Sequence, residues 1–220
     1  MPAEIRNSCG ELLDGMDVAW PASSDVDAVS DILFRCQRAT AEKRKVRIAY
    51  DSYYEKKEIE TVLHPHQVIF KSRGWYVIGY SEMHREFRMF KLERVVNLTV
   101  LEDRFKADAA FNVKDYFGHA WDMIRGDQQY HVEIHFSSQV AGNVEEVAWH
   151  ATQRTRRRSD GSLIFEVDVD GIEEISWWVL GYGDQAIVQE PDILRVLIAS
   201  HAQRLVRYYE NFDSKPMPRR

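Results

Sequence analysis

The chain has 220 residues and a formal net charge of −6, with 45% hydrophobic and 29% charged residues. That length suits about two compact units of ordinary soluble composition. No apolar run approaches the roughly 20 residues of a bilayer-crossing helix, and Met1-Pro2-Ala3-Glu4-Ile5-Arg6 lacks the layout of a secretory signal. With only Cys9 and Cys36, a disulfide framework or a cysteine metal knuckle is excluded, and a reducing cytoplasm is the expected compartment.

Residues 1–24 mix Gly, Pro, Ser and acidic groups without periodicity and read as a weakly ordered leader, with a short helical piece around Leu12. From Asp25 the pattern becomes helical. Ser24 or Asp25 can cap a helix whose apolar stripe is Val26, Val29, Leu33 and Cys36, broadened by Ile32, with Lys43, Arg44 and Lys45 at its dipole-favoured end. Strands are expected at about 45–51, 57–62, 66–72, 75–81, 86–92 and 95–102. Closely spaced short strands imply a small antiparallel barrel. Residues 71–94 hold six basic side chains (Lys71, Arg73, Arg85, Arg88, Lys91, Arg94) against three acidic ones (Glu82, Glu86, Glu93). A basic hairpin on an acidic protein points to an anionic ligand. In a strand over 86–92, Arg88, Phe90 and Leu92 share one face and Phe87, Met89 and Lys91 the other.

Residues 107–127 read as a linker carrying Phe111, Tyr116, Phe117 and Trp121. A strand follows at Tyr130 to Phe136, then a helix over Gln139 to Ala151 and a polar strand over Thr152 to Ser159. Asp160-Gly161 makes a hairpin turn into Leu163 to Val169. A helix around Ile172 to Leu180, a stop at Gly181 and Gly183, a short strand Ala186 to Val188 and a final helix from Pro191 to about Phe212 complete the order. Strand, helix, strand, strand, helix, strand is the ferredoxin-like order, so the fold class is α+β. Residues 213–220 read as a tail.

Gly74-Trp75-Tyr76-Val77 followed by Phe87-Arg88-Met89-Phe90-Lys91-Leu92-Glu93-Arg94-Val95 resembles the WYL domain of bacterial transcriptional regulators, with Val77 where the signature has Leu. Arg47 to Ser52 resembles that family's first strand, and Pro65-His66 the pair that opens its central strand. Ser176-Trp177-Trp178 through Pro191 resembles the C-terminal extension that accompanies many WYL domains. The resemblance implies a sensor of helix plus Sm-like barrel at 25–106 and a ferredoxin-like extension at 128–212. It implies a nucleotide or short single-stranded nucleic acid as effector, held by Tyr50, Ser52, His66, Arg88, Phe90 and Arg94. Arginine forks suit phosphate oxygens, hydroxyl and imidazole groups add hydrogen bonds, and an aromatic ring can stack on a base. It further implies a homodimer, and operator DNA reached through a winged helix-turn-helix domain that a 24-residue leader and one helix cannot supply.

Other readings stay open at this point. Arg88 and Arg94 can pair internally with Glu86, Glu93 or Asp51, leaving an interaction or dimerisation module. Direct binding of single-stranded nucleic acid is a further alternative. Arg154, Arg156 and Arg158 align on one strand face, which is either solvated or an accessory nucleic-acid path. Enzymatic motifs are absent. His64 with His66, His131 with His135, and Glu146 with His150 lack the further ligands of a zinc site. Gly181-Tyr182-Gly183 follows a helix rather than a strand, and there is no Gly-x-Ser-x-Gly elbow. No enzyme activity, metal, cofactor or membrane association is expected.

Overall fold

The structure, a computed structural model, describes residues 26–210. The expected leader with its helical piece at Leu12, Cys9, the caps Ser24 and Asp25, the helix end near Phe212 and the 213–220 tail lie outside the described residues, as does the side chain of Val26. The chain divides into two compact units between Phe111 and Asn112.

The first unit contains α1 (Val26–Glu42), β1 (Arg44–Ser52), β2 (Lys57–Lys71), β3 (Gly74–Ser81), β4 (Glu86–Lys91), a 3-10 turn (Leu92–Arg94) and β5 (Val95–Arg104). Its sheet is antiparallel in the order β4-β3-β2-β1-β5. Among the described residues no pairing joins β4 to β5, so the pairing closes no barrel. Val46, Ile48, Tyr50 and Ser52 alternate inward along β1, as a half-buried strand requires. Val46, Ile48 and Tyr50 meet Leu63, Val77, Phe90, Leu92 and Leu98, and α1 adds Leu33, Cys36 and Ala39 to the same core. Burial pushes the Cys36 thiol up to about 12, so it packs as a small apolar group rather than a nucleophile.

Two local expectations are corrected. The strands expected at 57–62 and 66–72 are one 15-residue strand, β2, and Pro65-His66 opens no new element. Proline cannot donate to the ladder, and the pairing with β3 absorbs it by a register shift between Pro65 and Gln67. The cationic run Lys43, Arg44 and Lys45 is not the last turn of α1 either. Lys43 ends the helix at φ 52°, while Arg44 and Lys45 begin β1. There Arg44 donates to the Leu101 carbonyl and pairs with Glu102, and Lys45 pairs with Glu82.

The second unit contains α2 (Val113–Phe117), β6 (Gln129–Phe136), α3 (Ala141–Glu145), β7 (Arg154–Arg157), β8 (Leu163–Asp170), α4 (Glu173–Leu180), a 3-10 turn (Gly183–Gln185), β9 (Ala186–Glu190) and α5 (Asp192–Glu210). Its antiparallel sheet has the order β7-β8-β6-β9. The core joins Val132, Ile134 and Phe136 to Phe165, Val167, Ile175 and Leu194, with Trp121, Trp149 and Trp178 packed at its margin. Within the stretch expected at 107–127, Asn112 caps α2 by accepting from the Asp115 N–H, and the Asp170 carbonyl accepts from the Gly126 N–H. The helix expected over 139–151 is a single turn and a half. The backbone N–H groups of Trp149 and His150 donate to the Gln153 side chain instead of to carbonyls one turn back.

Two outcomes follow. A Cβ at Gly79, opposite Pro65 and Arg88 in its two ladders, would collide with the His64 carbonyl oxygen, a backbone atom that cannot yield. Gly79→Ala is therefore expected to lower unfolding free energy by about 1–3 kcal/mol in a urea titration. Peptide mapping after alkylation at pH 8 should find Cys36 unmodified in the native protein and modified once denatured.

Candidate ligand-binding pocket

Ser52 ends the inward row of β1, and the turn after it carries Tyr53, Tyr54 and Glu55. Ser52 and Glu55 stand three residues apart and bond reciprocally across the turn. The Ser52 hydroxyl donates to Glu55 Oε2, and the Glu55 N–H donates back to Ser52 Oγ at 3.2 Å. Across the sheet, the β3–β4 turn places His84 so that Nε2 lies 3.2 Å from Glu55 Oε1. His84 Nδ1 lies 2.8 Å from Ser81 Oγ, which lies 2.8 Å from Thr61 Oγ1. When the Thr61 hydroxyl donates to Ser81 rather than to the Val62 carbonyl 3.2 Å away, Ser81 donates to His84 Nδ1 and His84 Nε2–H to Glu55.

These turns border a cavity of about 180 Å3 lined by Tyr50, Ser52, Tyr53, Tyr54, Glu55, Ile59, His84, Arg88, Met89, Phe90 and Arg94. Five of the six residues expected to hold an effector, Tyr50, Ser52, Arg88, Phe90 and Arg94, thus share one cavity. His66 does not. Its Nδ1 bonds to the His64 carbonyl, its Nε2 accepts from the Asp108 N–H, and its ring packs among Phe87, Phe105 and Phe111. It lines a separate hollow with His64, Tyr80, Arg85, Glu86, Phe87, Lys106 and Asp108.

The floor of the cavity is aromatic. Tyr50 and Phe90 meet edge to face with centroids 5.0 Å apart, and the Tyr50 oxygen accepts from the Lys91 N–H at 3.3 Å. Burial pushes the Tyr50 phenol up, opposed by the Lys91 N–H and by the Arg94 guanidinium, so the phenol stays protonated at neutral pH. The two arginines differ in their partners. Arg88 donates to Glu86 at 2.6 Å through Nε, and its Nη2 lies 2.5 Å from the same oxygen. The internal pairing weighed from sequence therefore exists for Arg88. Both side chains are about half exposed, at 42% and 54%, and such surface pairs contribute only ~0–1 kcal/mol. Arg94 rests its guanidinium carbon 3.7 Å above the Tyr53 ring and makes no ion pair among the described residues.

The hollow brings together two guanidinium groups, three tyrosines, a serine and the Glu55 carboxylate. The Ser81, His84 and Glu55 succession has the order of a nucleophile, base and orienting acid, but Ser81 is fully buried and no substrate could reach its oxygen. Among the described residues no group of three or more His, Cys, Asp or Glu is placed to hold a metal ion. Glu55, His84, Tyr53 and Tyr54 were not identified from sequence. The signal for them was the Ser52 to Glu55 spacing and the proximity of both turns to the basic hairpin.

In the second unit, Arg154 and Arg156 lie on edge strand β7 and Arg158 just beyond it, all exposed. Arg156 is 3.7 Å from Glu166, while the intervening Arg157 pairs with Glu145 at 2.8 Å. Among the described residues no helix is long and apolar enough to cross a membrane.

Comparisons with known proteins agree with these two units. Residues 31–100 match the WYL domain model and residues 128–206 the WCX domain model. Among solved structures, the chain is similar to proteasome accessory factor B/C (PafBC) of Arthrobacter aurescens, with 20% identity and a TM-score of 0.36 over 81% of this chain and 27% of that one. It is also similar to a CRISPR Cas-related protein, with 9% identity and a TM-score of 0.51 over 86% of this chain and 52% of that one, a likeness of fold. The chain thus spans about a quarter and about half of these two neighbours.

The buried hydroxyl at the centre of the relay gives a test. Ser81→Ala strips partners from Thr61 and His84, and is expected to cost about 1–3 kcal/mol of stability in chemical denaturation, with the His84 imidazole resonance shifted by NMR.

Proposed function

We propose, from the premise that this chain belongs to the WYL-domain family and carries a WYL domain followed by a WCX domain, that it is the ligand-sensing module of a bacterial transcriptional regulator. Its effector in this reading is a nucleotide or short single-stranded nucleic acid, bound in the cavity between the β1–β2 turn and β4. The observation that carries the reading is Arg94, partnered by an aromatic face rather than a carboxylate, beside an Arg88 whose one carboxylate partner is half exposed. A phosphate offers charge-assisted, forked hydrogen bonds that an exposed Glu86 does not match, so an arriving anion can displace it.

The finer architecture belongs to the same proposal. The order β4-β3-β2-β1-β5 is that of an Sm-like sheet opened between β4 and β5, and β7-β8-β6-β9 is the order of a ferredoxin-like fold. The domain limits are taken as 25–106 and 128–212, joined by 107–127. Tyr50, Ser52, Arg88, Phe90 and Arg94 line the effector site. His66 supports it from outside, by fixing the bulged segment of β2. Arg154, Arg156 and Arg158 serve as accessory nucleic-acid contacts. Operator DNA is contacted through a helix-turn-helix domain, which the described residues do not contain. The module works in the cytoplasm without enzymatic activity.

A second reading is self-association, favoured by α5, where Leu205, Val206, Tyr208 and Tyr209 are each at least half exposed. A large apolar surface on one helix fits a second copy of this chain.

Arg88→Ala and Arg94→Ala are each expected to weaken binding of a short single-stranded oligonucleotide by tenfold or more while circular dichroism is unchanged. Each should also reduce the slope of log affinity against log salt by about 1. Undiminished affinity would show that the arginines do not hold the effector. Light scattering should give the mass of a dimer for the parent chain and of a monomer for a Leu205→Glu, Tyr209→Glu variant. Salt should leave that dimer largely intact.

A further inference from the structure

A carboxylate in a site for anions demands an explanation, and Glu55 supplies one. Its side chain is 20% exposed and lines the same 180 Å3 cavity as Arg88 and Arg94, yet its side-chain partners are Ser52 and His84 and not an arginine. It is not a stray surface acid. Ser52 holds one oxygen, His84 holds the other, and His84 is anchored through Ser81 to Thr61, both buried in the sheet. Four residues therefore fix a negative charge in a place where an anionic ligand would be repelled by it.

A carboxylate offers about four lone-pair positions, and this relay occupies two. The remaining acceptor capacity suits a ligand group with hydrogen-bond donors, held within one small cavity's width of a phosphate. In a nucleotide the group adjoining the phosphate is the sugar, and a ribose presents hydroxyl donors that a carboxylate accepts well. The cavity is smaller than the roughly 300 Å3 at which pockets for drug-sized ligands begin, so it takes a sugar and a phosphate rather than a whole nucleotide. The base would lie outside, where Tyr54 stands 83% exposed at the rim as a stacking surface.

We propose that Glu55 makes this cavity selective for a ribose-bearing phosphate ligand, accepting from the sugar hydroxyls while Arg88 and Arg94 take the phosphate. The inference rests on the reading of the cavity as an anion site. It assigns Glu55 as the specificity residue and His84 as its positioning residue. It separates ribonucleotides from two other anions, deoxyribonucleotides and inorganic phosphate, which leave the carboxylate without a full set of donors.

Isothermal calorimetry on the full chain, using adenosine 5′-monophosphate, its 2′-deoxy counterpart, a five-nucleotide RNA with its DNA equivalent, and inorganic phosphate, tests this. Since a hydrogen bond to a charged group is at stake, the parent chain should prefer each ribose form over its deoxyribose form by about tenfold. Binding of the mononucleotide would identify a free ribonucleotide as the source, and binding of the RNA alone would identify a strand. Glu55→Gln should bring the preference below about threefold and raise affinity for inorganic phosphate, because one negative charge has left the site. A merely structural role for Glu55 would lower all affinities together and leave the preference intact, which overturns the proposal. So does a parent chain that binds both sugars equally. If that equal binding still requires Arg88 and Arg94, the anion site stands and only the ribose selection falls. If no probe binds, both fall.

Discussion

The hydroxyl of Ser81 is the point on which the pocket turns. It is fully buried at the end of β3, and a buried hydroxyl without partners would cost more than the fold could spare at several such sites. Its partners are the Thr61 hydroxyl on β2 and the His84 ring in the next turn, each 2.8 Å away. That pair of bonds locks the β3–β4 turn to the sheet, and the turn in turn holds Glu55 of the β1–β2 loop. The β1–β2 and β3–β4 turns are thereby joined by a continuous polar chain. The cavity between them owes its shape to that chain and to the Tyr50 and Phe90 rings beneath it.

Electrostatics around the cavity is a matter of which pairs are weak. The chain is acidic overall, yet its basic hairpin is not fully neutralised. Lys45 and His64 share Glu82, whose carboxyl is held below its ordinary range by both hydrogen bonds. Arg88 has an exposed partner, and Arg94 has an aromatic one. Exposed ion pairs are screened by water and contribute little, whereas a phosphate bound by two forks in a partly desolvated hollow interacts more strongly. The proposed effector therefore competes against weak contacts. In the proposed site, an arginine with a visible carboxylate partner is therefore still open to a phosphate.

The second unit follows a different logic. Trp178 packs within 5.4 Å, centroid to centroid, of Phe136, Phe165, Tyr182, Trp121 and Trp149, so α4 is fastened to the sheet by aromatic contacts. The Trp178 indole N–H is buried without a partner, as is His135 Nε2. Packing area evidently outweighs those unmade bonds. The edge strand β7 is instead entirely exposed and rich in arginine, a composition that discourages edge-to-edge pairing with another sheet.

Periodicity and composition were sufficient for what depends on local order. The alternation in β1, the apolar stripe of α1, the paired aromatic runs of β3 and β4 and the strand-helix succession of the second unit were all legible, because each reflects which residues face a core. So was the gathering of Tyr50, Ser52, Arg88, Phe90 and Arg94, carried by motif resemblance. What sequence could not resolve were features that depend on a partner distant in the chain. The single long β2 depends on a bulge accommodated by β3, the early end of α3 on the reach of Gln153, and the separation of His66 from the cavity on its rings and bonds with Phe105 and Asp108. The cavity's Glu55 to His84 link spans 29 positions and joins two turns of unremarkable composition. Side-chain rows are dictated by neighbours a few residues away, so the linear order by itself determined them. Which carboxylate meets which cation is dictated by strand register and turn geometry, and only the tertiary structure decided that.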